Sequence, residues 1–359
     1  MKVTILQVEP KMCWSRAEFV AEIDRIVEDA CLAHDPDLIV FPECMGLWLV
    51  GMEATTLWRK IWTRFLPGHG VQAESLAARM TRPWDESTYY EAAVNLQFSR
   101  PPKRGVLASS GSALLSGFPA YSSIAVAATA VPKLRAAIER AAEWVFNRLP
   151  LHFIAKRLRS QDEFEAYEEA FSSAAEHHGV HIQAGSIFVL VDEGVKNRAF
   201  VYGPGGEMVV MQEKIHPIPF ETMIGVLPGT GAETFDVGGV RCGIAICYDA
   251  NFPKDHIQRL ADMGCRFVCC PSGGIVPSHQ WKWSFDMDIK QATWARSQES
   301  GVWIGRSYNA GDLIEHVLMF QGRSSITAPV GQTEDGSGLV GLVPEEDFMG
   351  SHTLVCEMS

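Results

Sequence analysis

Three ionisable side chains each follow a short apolar segment that has the length and composition of a β-strand. Glu43 comes after Leu-Ile-Val-Phe-Pro, Lys214 after Val-Val-Met-Gln-Glu, and Cys247 after Gly-Ile-Ala-Ile. Open α/β sheets build their sites at the carboxyl ends of strands, so we expect the three side chains to lie together. They would supply a general base, a cation that stabilises an oxyanion, and a nucleophile. Together these groups are sufficient for acyl transfer.

The segment around Cys247 carries most of this interpretation. An apolar strand ends there in Cys-Tyr-Asp-Ala-Asn-Phe-Pro, which is typical of a sharp turn that exposes a nucleophile beside backbone N–H groups. Taken alone, Cys247 is equally compatible with a buried structural cysteine. Glu43 alone could be a loop carboxylate, and Lys214 alone a surface cation. The same arrangement at the ends of three strands favours the catalytic interpretation.

The motifs around these residues resemble the nitrilase, or carbon–nitrogen hydrolase, superfamily, whose members use a Glu–Lys–Cys triad. Phe-Pro-Glu43 is similar to the family's glutamate motif, and Glu-Lys214-Ile-His to its lysine motif. Cys247-Tyr-Asp, with Phe-Pro downstream, is similar to its cysteine motif. Weaker matches stand at Asn197, Gly203–Gly206, Pro219–Glu221, Pro271-Ser272, Ala295-Arg296, Gly301, Asn309, Gly322 and Ser324. The resemblance covers residues 1–46 and about 161–330.

This resemblance implies a mechanism and a role for each site residue. Cys247 would attack the carbonyl carbon of an amide, and Glu43 would take its proton and later pass it to the leaving group. Lys214 and the backbone N–H of Tyr248 would hold the oxyanion. Glu221 would be the family's second glutamate, which orients Lys214 or the substrate, or else a carboxylate paired with a surface base.

The resemblance also suggests a substrate class. Cys-Tyr-Asp with Phe-Pro downstream is more typical of amidases and N-carbamoyl amide hydrolases than of nitrilases, so we expect a small amide or N-carbamoyl substrate. A nitrile, or acyl transfer to an acceptor other than water, is the alternative. A catalytically silent scaffold is a further alternative. Ser272 and Trp281 are expected at the substrate pocket, where Trp281 would line the wall or pack beneath the loop.

Composition limits the partners and the location. The chain has 43 acidic and 31 basic side chains and a net charge of -12, which argues against a nucleic-acid binder. We expect a cytoplasmic protein, because the sequence has no signal-peptide pattern and no apolar run of about 20 residues.

Nine irregularly spaced cysteines do not resemble a disulfide framework. Cys265, Cys269 and Cys270 lack a second half-site for zinc, so no metal or cofactor is expected.

Hydrophobic periodicity predicts an α/β protein, and the resemblance makes it a four-layer α-β-β-α sandwich. Strands are predicted at 3–8, 37–42, 181–191, 198–203, 207–212, 234–237, 240–246, 266–270, 302–308, 314–320 and 324–328. Helices are predicted at 17–33, 161–179, 254–263 and 284–300. We expect residues 1–359 to form a single domain, assembled into a homodimer or larger homo-oligomer. Residues 332–359 could form an arm that reaches a neighbouring subunit.

A largely helical insertion is predicted at about 47–160, because the interval from Glu43 to Lys214 is much longer than is usual in the family. A helix is expected to end at Pro150. Residues 133–160 carry seven basic side chains against two acidic ones. This segment could contact anionic lipid or an acidic ligand. We favour a solvated helix that covers the site entrance or packs on another protomer, without membrane contact.

Overall fold

The computed structural model describes residues 1–49, 161–218, 221–222, 225–251, 254–274, 292–314 and 318–358. The predicted insertion at about 47–160 falls almost entirely outside the described residues, together with its basic segment. Trp281 and residues 284–291 of the helix predicted at 284–300 also lie outside them. Among the helices that the structure describes, none combines the length and the apolarity that a membrane span requires.

The first of two large sheets mixes parallel and antiparallel strands. Its seven strands are β1 (Lys2–Gln7), β2 (Leu38–Val40), β3 (His181–Gln183), β4 (Ile187–Val191), β5 (Gly194–Tyr202), β6 (Met208–Glu213) and β15 (His352–Glu357). Their order is β15-β1-β2-β3-β5-β4, with β6 pairing with β5. The parallel neighbours β1, β2 and β3 place the carboxyl ends of their strands at one edge.

The second sheet has six strands in the order β14-β13-β10-β9-β8-β7. They are β7 (Thr234–Val237), β8 (Val240–Ile244), β9 (Phe267–Ser272), β10 (Trp303–Tyr308), β13 (Ser325–Thr327) and β14 (Leu339–Leu342). The strands β8, β9 and β10 run parallel, so β8 and β9 also end at a common edge. A separate hairpin consists of β11 (Gly311–Ile314) and β12 (Leu318–Phe320).

Four helices cover the outer faces of the two sheets in the described part of the chain. They are α1 (Arg16–His34), α2 (Gln161–His178), α3 (Lys254–Asp262) and α4 (Trp294–Ser300). The N-terminus of α1 is capped by Ser15, whose side chain accepts from the backbone N–H of Glu18. Its C-terminus is closed by Asp35 in the left-handed region, with a φ of 47°.

Three buried apolar clusters define the layers. The first joins α1 and α2 to one face of the first sheet, where Phe19, Phe171 and Phe41 meet edge to face. The second lies between the sheets, and the third joins α3 to the outer face of the second sheet. Alternation along a strand sends Ile5 to the inter-sheet cluster and Leu6 to the helix side. The predicted α-β-β-α sandwich is therefore confirmed.

The structure departs from the predicted elements in several places, one of which is the unpredicted strand β14 (Leu339–Leu342). The strand predicted at 181–191 is divided into β3 and β4 by Gly185, which has a φ of 71° and contacts the backbone of Pro42. The described residues of the strand predicted at 314–320 belong to two different strands, because β11 ends at Ile314 and β12 begins at Leu318, and these two strands pair antiparallel. An arm reaching a neighbouring subunit was predicted for residues 332–359. This prediction is wrong for β15, which pairs antiparallel with β1 of the same chain.

Candidate active site

Lys214 lies immediately after β6 and is almost completely buried, with 1% of the residue exposed. Its backbone is fixed on both sides, since its N–H donates to the carbonyl of Asn197 and its carbonyl accepts from the N–H of Gly229. The ammonium Nζ lies 2.7 Å from Glu43 Oε1 and 2.8 Å from Glu221 Oε2. One cation therefore bridges two buried carboxylates.

Glu43 stands three residues after the end of β2 and is 3% exposed. Its Oε1 accepts from Lys214 Nζ and, at 2.9 Å, from Asn197 Nδ2. Its Oε2 accepts from the backbone N–H of Gly273 at 2.8 Å. The Glu43 backbone is held as well, because its N–H donates to Ser272 and its carbonyl accepts from Asn309 Nδ2. Donors from both sheets thus orient the carboxylate.

Glu221 and Asn197 complete this buried network. Asn197 Nδ2 lies 2.9 Å from Oε1 of both Glu43 and Glu221, so a single amide group links the two carboxylates. Glu221 Oε2 also accepts from the backbone N–H of Ile218 at 2.8 Å. Glu221 thus contacts Lys214, and its role in orienting Lys214 stays a prediction.

Cys247 begins a short 3-10 turn, Cys247–Ala250, just beyond the end of β8. Its φ of 50° lies in the left-handed region, which is uncommon for a residue with a side chain and often marks a functional turn. The residue is half-buried. Tyr248 follows it in the same turn, so the backbone N–H expected to hold the oxyanion is adjacent to the nucleophile in the chain.

Asp249 connects the turn that carries Cys247 to the segment that follows Lys214. Its carboxylate is fully buried and accepts from the backbone N–H groups of Ile215 and His216, at 3.1 and 2.7 Å. It also lies 3.0 Å from His216 Nδ1. Asp249 lies in the loop after β8 of the second sheet, whereas Ile215 and His216 lie in the loop after β6 of the first sheet. These hydrogen bonds therefore join the two loops and fix the separation of Lys214 and Cys247.

The charges around Lys214 keep it protonated. Burial opposes the charge on its ammonium group, but the Glu43 and Glu221 carboxylates raise the pKa of Lys214 well above its ordinary value, and an ionised Cys247 would add to that rise. Burial raises the pKa of Glu221, and the Lys214 charge offsets part of that rise. A permanently charged ammonium suits the stabilisation of an oxyanion.

The same surroundings favour a neutral thiol at Cys247. Burial and then the Glu43 carboxylate raise the pKa of Cys247 well above its ordinary value, while Lys214 and Arg306 act in the opposite direction. Lys214 thus favours the thiolate, but its effect on the pKa of Cys247 does not outweigh those of burial and Glu43. A nearby carboxylate and a protonated thiol are suited to proton transfer at the moment of attack.

Two further residues, Ser272 and Trp281, were predicted at the substrate pocket. Ser272 ends β9 and is fully buried; its hydroxyl accepts from Arg306 Nε at 2.9 Å, and its carbonyl accepts from Glu43 N–H. Ser272 therefore supports Glu43, and its contact with substrate stays a prediction. Trp281 lies outside the described residues.

Two contributors to the site were not predicted from the sequence. Gly273 donates its backbone N–H to Glu43, and a Cβ there would lie 3.0 Å from Glu43 Oε2. Arg306 is buried on β10, bonds to Ser272, and lies 4.9 Å from the ring of Tyr308. The glycine that follows Pro-Ser at the end of an apolar strand was a usable signal for Gly273, whereas Arg306 had none.

The described part of the chain is thus a two-sheet α/β sandwich with a buried Glu43–Lys214–Glu221 network, and Cys247 lies at a left-handed turn beside it. The sequence profile of the carbon–nitrogen hydrolase family matches residues 125–337. The chain belongs to the carbon–nitrogen hydrolase family. The matched span includes Lys214, Glu221 and Cys247, and Glu43 joins them through the contacts described above.

Similar proteins with curated names include several omega-amidases. The chain is 26% identical to omega-amidase NIT2-B of Xenopus laevis over 193 residues, which are 50% of this chain and 65% of that protein. It is 25% identical to omega-amidase NIT2 of Mus musculus over 183 residues, which are 47% of this chain and 62% of that protein. The matched part thus spans less than two thirds of these relatives.

Solved structures of similar fold include an amidase from Nesterenkonia sp. AN1. A variant of that amidase, which shows the result of Michael addition of acrylamide at its active site cysteine, has a TM-score of 0.54 and 13% identity. The comparison covers 100% of this chain and 93% of that chain. Another variant, in complex with butyramide, has a TM-score of 0.54, 12% identity, and coverage of 100% and 90%. At this level of identity, both comparisons show that the folds are similar and nothing more.

Proposed function

We propose that this protein hydrolyses a non-peptide C–N bond of a small amide or N-carbamoyl compound and releases ammonia or an amine. The observation that carries the proposal is the buried ammonium of Lys214, which contacts Glu43 and Glu221 and interacts electrostatically with Cys247. A cation, a base and a thiol converge there from three strand ends. The names of the NIT2 relatives and of the Nesterenkonia amidase support the choice of an amide.

The reaction would begin with attack of the Cys247 sulfur on the carbonyl carbon. Because burial and Glu43 raise the pKa of Cys247, the thiol would give its proton to Glu43 as the C–S bond forms. The Lys214 ammonium and the Tyr248 backbone N–H would bind the oxyanion. The C–N bond then breaks, and the leaving nitrogen takes the proton from Glu43. A thioester on Cys247 remains.

Water would complete the cycle. Glu43, again a carboxylate, removes a proton from water, and the resulting hydroxide equivalent attacks the thioester carbonyl. The C–S bond breaks, the sulfur recovers a proton, and the carboxylic acid leaves. Glu221 and Asn197 would act by holding Lys214 and Glu43 in place. Ser272 and Trp281 remain candidates for the pocket wall.

The proposal also covers the domain organisation, the cellular location and the assembly of the protein. We infer a single domain over residues 1–359, with the insertion at about 47–160 adding to the pocket. We infer a cytoplasmic protein, in agreement with nine cysteines that form no disulfide, and a homodimer or larger assembly. Subcellular fractionation and analytical ultracentrifugation test the last two, and a monomer at micromolar concentration would contradict the assembly.

Ammonia release from a panel of small amides, N-carbamoyl compounds and nitriles tests the proposed activity. We expect turnover of at least one amide or N-carbamoyl compound, loss of that turnover in Cys247→Ala, and normal turnover in Cys31→Ala. Cys31 is a half-buried cysteine in α1 and provides the matched control. Hydrolysis of nitriles alone, or full activity in Cys247→Ala, would contradict the proposal.

A further inference from the structure

A second cluster of chemically active side chains lies on the outer helical layer. Asp24 on α1 faces His177 and His178, which form the last turn of α2. Asp24 Oδ1 is 3.0 Å from His177 Nδ1 and 3.0 Å from His178 Nε2. One potential ligand atom from each of the three residues lies within 4.8 Å of the others. Two helices thus converge on a carboxylate and two imidazoles.

The spacing of these atoms matches the requirements of a transition metal. Zinc binds imidazole nitrogen and carboxylate oxygen at about 2.0–2.2 Å, so neighbouring ligands of a tetrahedral ion lie roughly 3.3 Å apart. The two 3.0 Å distances differ from that value by a few tenths of an ångström. A cation could therefore replace the two imidazole protons with only a small displacement of the side chains.

The surroundings of the cluster favour a cation and leave room for further ligands. Asp24 and His177 line an open groove between α1 and α2 with a volume of about 570 Å³. Arg16, a cationic residue in the same groove, is paired with Glu169 and lies 3.8 Å from Glu165. The guanidinium is thus neutralised, and the Asp24 carboxylate is available to a metal. Water in the groove could fill the remaining coordination positions.

We propose that Asp24, His177 and His178 form a binding site for a divalent transition metal of the Zn²⁺ class, which joins α1 to α2. Two imidazoles and one carboxylate suit Zn²⁺, Ni²⁺ or Cu²⁺, whereas Mg²⁺ and Ca²⁺ prefer all-oxygen sites. The bound ion stabilises the helical layer that covers the first sheet. This inference is independent of the chemistry proposed for Cys247.

Titration of the metal-free protein with Zn²⁺ tests the site, with affinity measured by calorimetry and stability by thermal unfolding. We expect a rise in Tm with Zn²⁺, and at least a tenfold loss of affinity in both His177→Ala and Asp24→Asn. His34→Ala, which removes an imidazole from the last turn of α1, is the matched control and should bind as the original protein does. Amide hydrolysis without metal should be the same in all four proteins.

Co²⁺ distinguishes this site from the cysteines. Bound by nitrogen and oxygen, Co²⁺ should give visible d–d absorption without a thiolate charge-transfer band, and both variants should lose that absorption. Absence of Zn²⁺ binding, equal affinity in the variants, or a thiolate band in the one-equivalent Co²⁺ complex would each overturn the proposal.

Discussion

Lys214 illustrates how strongly the buried residues of this site depend on one another. The ammonium is enclosed with Glu43 and Glu221, and each carboxylate lies within 2.8 Å of it. Removing one partner of a buried ion pair leaves the other charge uncompensated and costs about 3–5 kcal/mol. We therefore expect Lys214→Met to lower the free energy of unfolding by about that amount, measured by urea denaturation at neutral pH.

A double variant provides the control for this prediction. Lys214→Met combined with Glu221→Gln removes a carboxylate that would otherwise be left unpaired, so it should recover part of the lost stability. Lys214→Met with an unchanged unfolding midpoint would mean that the three charges are not coupled in solution.

Cys247 allows a direct test of the electrostatics. An ordinary thiol titrates near 8.5, whereas burial and Glu43 raise the pKa of Cys247 well above its usual range. Its thiolate absorbance, taken as the difference between the protein and Cys247→Ser, should therefore be absent at neutral pH and rise only in strongly alkaline solution. Glu43→Gln removes the carboxylate's contribution, so the titration should move to lower pH. A midpoint unaffected by Glu43→Gln would contradict this account.

Sequence motifs singled out Glu43, Lys214, Cys247 and Glu221, because their side chains are chemically distinctive. Arg306 stands in no such motif, so only the fold reveals its contact with Ser272. Gly273 contributes an N–H group that every residue except proline possesses, and its position after Pro-Ser at the end of an apolar strand was the one signal for it. The assigned roles of Tyr248, Ser272 and Trp281 remain predictions.

At the scale of elements, Asp249 joins two loops that carry different parts of the site. Its buried carboxylate accepts three bonds from Ile215 and His216. In Asp249→Asn, the amide NH2 group faces at least one of these N–H groups, so a buried donor is left without an acceptor. We expect this to destabilise the protein by about 1–3 kcal/mol. We also expect kcat to fall by at least tenfold with a smaller change in KM, because Lys214 and Cys247 lose their fixed separation.

Asp236→Asn is the matched control for this change. Asp236 lies on β7 and pairs with Arg241 at the surface, so its loss should leave turnover unchanged. If Asp249→Asn kept the original kcat, the connection between the two loops would have no role in turnover.

The elements themselves were predictable where the pattern is local. The short apolar run of β1 and the helical spacing of α1 identified both elements to within two residues. The division of the strand predicted at 181–191 depends on Gly185 meeting the backbone of Pro42, a contact between distant segments. The strand β15 was missed for the same kind of reason, because its partner β1 lies at the other end of the chain.

At the scale of the whole molecule, the close approach of the two sheets can be tested at Gly305. A Cβ there would lie 2.5 Å from Ile5 Cδ1 and 2.6 Å from Phe267 Cζ, so a larger residue must displace these side chains or the strands that carry them. Gly305→Ala should therefore lower the free energy of unfolding by about 1–3 kcal/mol. Gly331→Ala is the control, since a Cβ at that position meets no atom within 4 Å. Equal stability of the two variants would contradict the packing described between the sheets.

The four-layer arrangement could be predicted only through the resemblance to a family. Periodicity indicates strands and helices, but it does not say that two sheets pack face to face or that Glu43 and Cys247 come from different sheets. The three apolar clusters supply that information, because each one contains residues from elements far apart in the sequence.

The central claim is that Cys247 forms an acyl-enzyme, and intact-mass spectrometry of the protein quenched in acid during turnover tests it most directly. Acid stops the reaction while part of the protein still carries the thioester. We predict a mass increase equal to the acyl group, located on Cys247 by peptide mapping and absent from Cys247→Ala. An adduct on another residue, or undiminished hydrolysis of the same amide by Cys247→Ala with no adduct, would contradict it.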